Sequence, residues 1–209
     1  MSTGKKDERS IVRDISRIFD EEKPPSLKKV IRHTNLATKR FREIWSEWWG
    51  DEVPPKLEVD LILVFEDRVR DDVLLVGTEV EYFKGRAKSF YDGLQQALSF
   101  ALFGFDSLVL WHIFSDNMED HEIERYVRPL NEIVEGLELP IVYLATKLVG
   151  DGKFEFFAPY KFYSSNVVDV RYLLEAIMGQ CDGKRNPLLS REEVVRRRKM
   201  MKVLLEIPV

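Results

Sequence analysis

Cysteine occurs once in the 209 residues, at Cys181, so no internal disulfide can form and a reducing compartment is expected. Histidine is nearly as scarce. His33, His112 and His121 show no metal-ligand spacing with one another or with Cys181, which argues against a zinc site. No apolar run approaches the length of a membrane span, and the charged opening MSTGKKDERS does not read as a secretory leader. A cytoplasmic protein without a membrane partner is therefore expected. The patterns GxxxxGK[ST], GxGxxG and GxSxG are all absent, which removes support for nucleotide-driven chemistry and for a serine-hydrolase elbow. Internal repeats and low-complexity segments are absent too.

What remains is a chain rich in both charge and apolar residues. Hydrophobic residues make up 44% of it, charged residues 33%, and there are four tryptophans, a composition that supports a packed core rather than disorder. The length fits a single domain over residues 1–209, with N-terminal helices in 1–50, a sheet core in 57–158 and C-terminal helices in 167–206. High charge with little Gln or Asn is the balance of a thermophilic source. The net charge of −4 opposes binding to DNA, which needs local positive potential. Local basic density exists at Lys28, Lys29, Arg32, Lys39, Arg40 and Arg42, at Lys84, Arg86 and Lys88, and at Arg191 with Arg196 to Lys199. Each cluster taken alone reads first as a solvated helix face.

The most informative stretch runs from Leu57 to Gly104. Leu57 to Phe65 and Val73 to Tyr82 alternate as strands, and the polar residues between them mark a turn. A hairpin symmetric about Val69 and Arg70 places Asp60 opposite Glu79 and Glu58 opposite Glu81. Strand side chains alternate with period two, so these four carboxylates share a face. Leu57, Val59, Leu61, Leu63 and Phe65, with Leu74, Val76 and Val80, are expected on the other face as core. Four neighbouring carboxylates repel one another, and a hard divalent cation with oxygen ligands relieves that conflict. The plainer alternative is a solvated acidic face.

Around the hairpin, the spacing predicts a helix over residues 7–20 and a second, long helix from a Ser26 cap to about Trp49. Glu43 and Glu47 late in that helix could face the acidic sheet. Trp45, Trp48 and Trp49 make it more apolar than a domain periphery needs, so a homodimer is expected. Ser89 is the expected cap of a helix ending near Gly104, carrying Asp92, Gln96 and Phe100 on one stripe. A buried strand, Ser107 to Phe114, then completes a crossover in a mixed sheet. A helix over 119–135, strands at Ile141 to Leu148 and Lys153 to Phe157, and helices at Val167 to Gly179 and Ser190 to Glu206 follow. Ser190 and Glu193 form the pattern of a capping box.

The order of helix, acidic hairpin, helix with a glutamine, strand, helix and strand resembles the PD-(D/E)XK nuclease superfamily. Val59-Asp60 matches its first acid and Glu79-Val80-Glu81 its second half-motif. Gln96 to Phe100 is similar to the QxxxY signature of the RecB-like branch, with Phe in place of Tyr. The likeness covers roughly residues 57 to 148, and small nuclease-fold proteins of viruses of thermophilic archaea are the nearest in kind. It implies a restriction-endonuclease-like α/β fold, a mixed sheet flanked by helices with helical extensions at both ends. It also implies a Mg²⁺- or Mn²⁺-dependent nuclease, endo- or exonucleolytic, acting on DNA. One departure matters: the family usually has Lys where this chain has Glu81. Glu81 could serve in its place, Lys84 or Lys88 could supply the amine, or the scaffold could be an inactive nucleic-acid-binding or regulatory protein.

Phosphodiester hydrolysis needs a cation that polarises a phosphoryl oxygen and acidifies water. Under the resemblance, Asp60 and Glu79 hold that ion with the Val80 carbonyl, Glu81 ligates a second metal or orients the water, Lys84 stabilises developing charge, and Gln96 contacts phosphate or water.

Overall fold

The computed structural model describes residues 7–35, 38–49, 57–67, 72–85, 88–150, 152–159 and 167–207. Helix α1, Glu8–Glu21, opens them. Asp7 caps it by accepting a hydrogen bond from the Ser10 amide at 2.8 Å, and Ile11, Val12, Ile15 and Phe19 supply a buried stripe at helical spacing. Strand β1, Leu27–Asn35, and helix α2, Lys39–Trp49, follow. The single long helix expected from Ser26 is therefore a strand and a shorter helix. Val30-Ile31 and Thr34-Asn35 are weak helix formers, and pairing with the next strand gives their backbone a ladder that local propensity could not offer. Thr38 rather than Ser26 caps α2, its hydroxyl accepting from the Phe41 amide at 3.2 Å.

The hairpin forms as β2, Glu58–Asp67, and β3, Asp72–Phe83. The residues of its turn, Val69 and Arg70 included, lie outside those described. Helix α3, Leu94–Ser99, runs into a 3₁₀ turn, Phe100–Phe103, before β4, Ser107–Phe114. Helix α4, Asp120–Gly136, contains Pro129 and precedes β5, Val142–Gly150, β6, Lys153–Ala158, and β7, Val167–Asp169. Helices α5, Val170–Gly183, and α6, Glu192–Leu204, close the chain. The expected capping box is not made: Arg191 occupies the cap position of α6, and the Ser190 hydroxyl donates instead to the Pro187 carbonyl at 2.9 Å.

The seven strands form one mixed sheet in the order β1-β2-β3-β4-β5-β6-β7. Strands β3, β4 and β5 are mutually parallel and the outer pairs antiparallel. Helices cover both faces. On one, α1 and α5 bury Phe19, Leu173 and Ile177 against Leu61, Leu63, Val76 and Trp111. On the other, α2, α3, α4 and α6 bury Phe41, Trp45, Ala97, Leu130 and Met200 against Ile62, Val64, Leu75 and Leu110. Both faces of β4 are thus core, as its run of apolar residues, interrupted after Ser107 only by His112, leads one to expect. The protein is an α/β structure with a helix-flanked mixed sheet.

Two expectations change with this arrangement. Val59 packs with Ile62 and Val64, whereas Leu61, Leu63 and Phe65 pack on the opposite side, so β2 changes face around Asp60 instead of presenting one uniform apolar side. Trp45 is only 4% exposed, packed at a tilt against Phe41 and covered by the Arg197 guanidinium, so it serves the core rather than a spare interface. The side chains of Trp48 and Trp49 lie outside those described.

Helix α6 is fastened to the sheet by charge. The Arg198 guanidinium donates to both oxygens of Asp106, which is 1% exposed, and reaches Asp72 at 3.0 Å. Asp106 also accepts from the Leu75 amide at 2.8 Å, and Lys202 pairs with Asp72 at 2.8 Å. Gly104, with φ +79, lies so close to α6 that a Cβ there would sit 2.5 Å from the Arg198 amide nitrogen. Part of the C-terminal basic run therefore serves internal pairing rather than an external ligand.

Candidate active site

The β2–β3 register, with Leu61 opposite Thr78, brings Asp60 beside Glu79 and Glu58 beside Glu81 when continued toward the open end. There the ladder gives way: the Val80 amide donates to the Asp60 carboxylate at 3.0 Å. Across β2, His33 interrupts β1 with a left-handed backbone (φ 48), on the neighbouring strand between partners Leu61 and Val59. Distortion on both sides of Asp60 is what allows β2 to change face at this residue. The result is a cleft of about 790 Å³ lined by Glu8, Glu58, Asp60, Glu79 and Glu81, with Arg9, Tyr91, Gly93 and Gln96 among its other walls.

The segment entering α3 closes the cleft tightly. Expected to start a helix, it instead makes a turn in which Asp92 accepts from the Ser89 amide at 3.0 Å and Gly93 adopts φ +77. A Cβ on Gly93 would stand 2.9 Å from Cγ of Glu81 and 3.1 Å from Cγ of Glu79, so glycine is what lets this backbone lie on the acids. Beneath it, the buried His112 ring contacts the Asp92 carbonyl through Nε2 at 3.1 Å and the Tyr143 hydroxyl through Nδ1 at 3.1 Å. A carbonyl only accepts, so Nε2 carries the proton and Tyr143 donates to Nδ1. Burial pushes the His112 pKa down to about 4 and keeps this chain neutral.

Charge in the cleft is unbalanced. Burial, reinforced by Asp60 and Glu81 and then by Glu8 and Glu58, pushes Glu79 up to about 9. Its Oε2 is buried without a hydrogen-bond partner among the described residues. Burial likewise raises Asp60, against the opposing Val80 hydrogen bond. Among the described residues, Lys88 is the ammonium that pairs with these acids, contacting Glu81 closely and Glu8 at 2.6 Å. Burial opposes its charge, but the hydrogen bonds to Glu8 and Glu81 outweigh that and raise its pKa. Shared between two acids, Lys88 offsets the burial of Glu81 only in part, and the Glu81 pKa stays raised.

Of the residues expected from sequence, Asp60, Glu79, Glu81 and Gln96 come together at the cleft and Lys84 does not. Lys84 is exposed, with its ammonium 5.4 Å from the Tyr82 ring centre. Side chains alternate along a strand, so continuing β3 by one residue sends Lys84 to the side opposite Glu81. Gln96 donates to the Glu58 carbonyl at 3.0 Å and thereby braces α3 on β2. Glu81, expected as a metal ligand, is engaged by Lys88. Glu43 and Glu47 are exposed and away from the cleft. Glu8 was not foreseen, although it lies three and seven residues before Ile11 and Ile15 and so shares their inward stripe.

Among the described residues, no three His, Cys, Asp or Glu side chains are grouped as a metal centre. The donor chemistry at Asp60 and Glu79 nevertheless suits a hard divalent cation: two neighbouring carboxylates, one with an orphaned buried oxygen, gain from an oxygen-seeking ion what they lose by burial. Compared with protein-family models, curated proteins and solved structures, the chain matches none. Among the described residues, no helix is long and apolar enough to cross a membrane.

Proposed function

We propose that the chain is a metal-dependent nuclease that hydrolyses phosphodiester bonds in DNA, built on a restriction-endonuclease-like scaffold. The observation that carries this reading is the convergence of Asp60, Glu79 and Glu81 in one cleft, with Lys88 paired to Glu81, at the open end of a hairpin whose following helix supplies Gln96. Asp60 and Glu79 would hold Mg²⁺ or Mn²⁺. When bound, such an ion polarises a phosphoryl oxygen and acidifies an attacking water.

The protein's own groups would do the rest. Lys88, kept protonated by Glu8 and Glu81, presents a fixed positive charge to the negative charge that develops on the phosphate oxygens. It takes the role that the sequence left open between Glu81, Lys84 and Lys88. Glu81 holds this ammonium in place. The neutral Tyr143–His112 pair fixes the Asp92–Gly93 turn that packs on Glu79 and Glu81. Gln96 keeps β2 and α3 in register beneath the acids.

A second reading is an inactive DNA-binding or regulatory protein on the same scaffold, favoured by one observation: Glu81 is bound to Lys88 and no ready three-ligand cluster exists among the described residues. A labelled oligonucleotide incubated with Mn²⁺, Mg²⁺ or EDTA separates the two. Metal-dependent cleavage supports the nuclease, and binding without cleavage in any of the three supports the second reading. A second copy of the chain, a thermophilic viral source and a cytoplasmic location belong to the same proposal on sequence grounds alone.

A further inference from the structure

We infer that Arg9, Arg13, Arg32 and His33 form a phosphodiester-binding subsite beside the acidic cleft, which guides a polynucleotide backbone toward it. The inference rests on reading that cleft as a nucleic-acid site. These four residues, with Asp7 and Ser10, line a second cavity of about 550 Å³. Arg9 borders both cavities, so the two are adjacent. Arg9 and Arg13 stand one turn apart on α1, and Arg32 and His33 come from β1, next to the strand that carries Asp60.

These guanidiniums are loosely held. Arg9 reaches Glu58 only at 3.6 Å with its side chain 78% exposed, and Arg13 donates to the Ser10 hydroxyl at 3.3 Å. Arg32 has no ion pair among the described residues. Arg198, by contrast, is locked on two carboxylates. Among the described residues Asp7 is the one acid lining the cavity, and one of its oxygens is already occupied by the Ser10 amide. Asp14, Asp20 and Glu21, together with Arg17, line a neighbouring cavity on the far side of Arg13 and Arg32.

His33 adds an independent mark. Its backbone is left-handed (φ 48), unusual for a residue with a side chain, and its Nδ1 is buried without a partner among the described residues. Planar guanidiniums with a neighbouring imidazole suit phosphate oxygens, which accept paired hydrogen bonds. An acidic cleft repels DNA, and a basic subsite at its border supplies local positive potential in a chain of net charge −4.

The test is fluorescence anisotropy with labelled single-stranded and duplex oligonucleotides in EDTA over a salt series. The parent is compared with Arg13→Gln/Arg32→Gln and Arg13→Glu/Arg32→Glu, and thermal melts check that the exposed substitutions leave the fold intact. Affinity for duplex should fall about tenfold or more in the glutamine variant, with the log–log salt slope reduced by about two, close to one per cation removed. Charge reversal should weaken binding further. Parent-like affinity and slope in both variants overturn the subsite, as does a parent that binds no oligonucleotide at low salt. Competition by inorganic phosphate as strong as that by oligonucleotide, phosphate for phosphate, also overturns it in favour of a small-anion site. Cleavage with Mn²⁺ is read on the same proteins. Binding lost in the variants, with no cleavage by the parent, supports the subsite and removes the nuclease reading. Cleavage with binding unchanged in both variants does the reverse.

Discussion

Glu79→Gln changes one atom of the cleft's most strained group. In the folded protein Glu79 is pushed from an ordinary 4.5 to about 9, chiefly by burial. The native state therefore holds this proton more tightly than the unfolded chain does. Its contribution to stability is fully present below about pH 4.5 and is lost as pH rises toward 9. At about pH 7.5 the folded group stays protonated while the unfolded one is ionised, a cost of roughly 4 kcal/mol at about 1.4 kcal/mol per pH unit. Glutamine fills the same space and does not titrate, so it escapes that loss. Urea unfolding in EDTA should give similar stabilities for the two proteins at about pH 4.5. By about pH 7.5 the variant should be about 2–4 kcal/mol more stable than the parent, the lower figure reflecting water entry around the ionised group. Added Mg²⁺ should raise the stability of the parent and leave the variant nearly unchanged. Parallel pH curves for the two proteins would refute the account of a buried, cation-seeking carboxylate.

Lys88→Met removes the ammonium paired with Glu81 and Glu8 and should lower single-turnover cleavage about a hundredfold or more, whereas Lys84→Ala should stay within about twofold of the parent. Calorimetric metal titration should show Lys88→Met binding Mn²⁺ at least as tightly as the parent, because Glu81 is released. Gly93→Ala combines φ +77 with a Cβ 2.9 Å from Glu81 Cγ and Leu110 Cδ1. It should destabilise the fold by about 1–3 kcal/mol in urea unfolding and reduce cleavage by displacing the acids. Arg198→Met leaves Asp106 buried without its main counter-charge and should cost about 3–5 kcal/mol in the same measurement, most of it recovered by adding Asp106→Asn.

The hairpin was legible because its two strands carry their own period-two pattern, and the register that pairs Leu61 with Thr78 follows from it. The largely apolar run of β4 was legible too: a strand covered on both faces admits a polar residue such as His112 only where it finds hydrogen-bond partners. The segment from Leu27 to Asn35 was not, since its mixture of basic and β-branched residues can be arranged at helical spacing, and only the open edge of β2 decides for a strand. The change of face at Asp60 is likewise tertiary, made by distortions on both neighbouring strands. Lys88 was one of several candidate amines in the sequence. What selects it is the turn held by Asp92 and Gly93, which brings Lys88 back over Glu81 while Lys84 points outward. Glu8 could have been found by extending the Ile11–Ile15 stripe one turn toward the N-terminus, but nothing in the sequence says which sheet residues that stripe meets.

The most direct test of the central claim is single-turnover cleavage of a labelled DNA oligonucleotide by the parent, Asp60→Asn and Glu79→Gln, each with Mn²⁺ and with EDTA. The account predicts cleavage by the parent in Mn²⁺ alone and a loss of at least about a hundredfold in both variants, whose melts remain those of folded proteins. Cleavage by both variants at the parent rate, or a folded parent that cuts no DNA with any divalent metal, would contradict it.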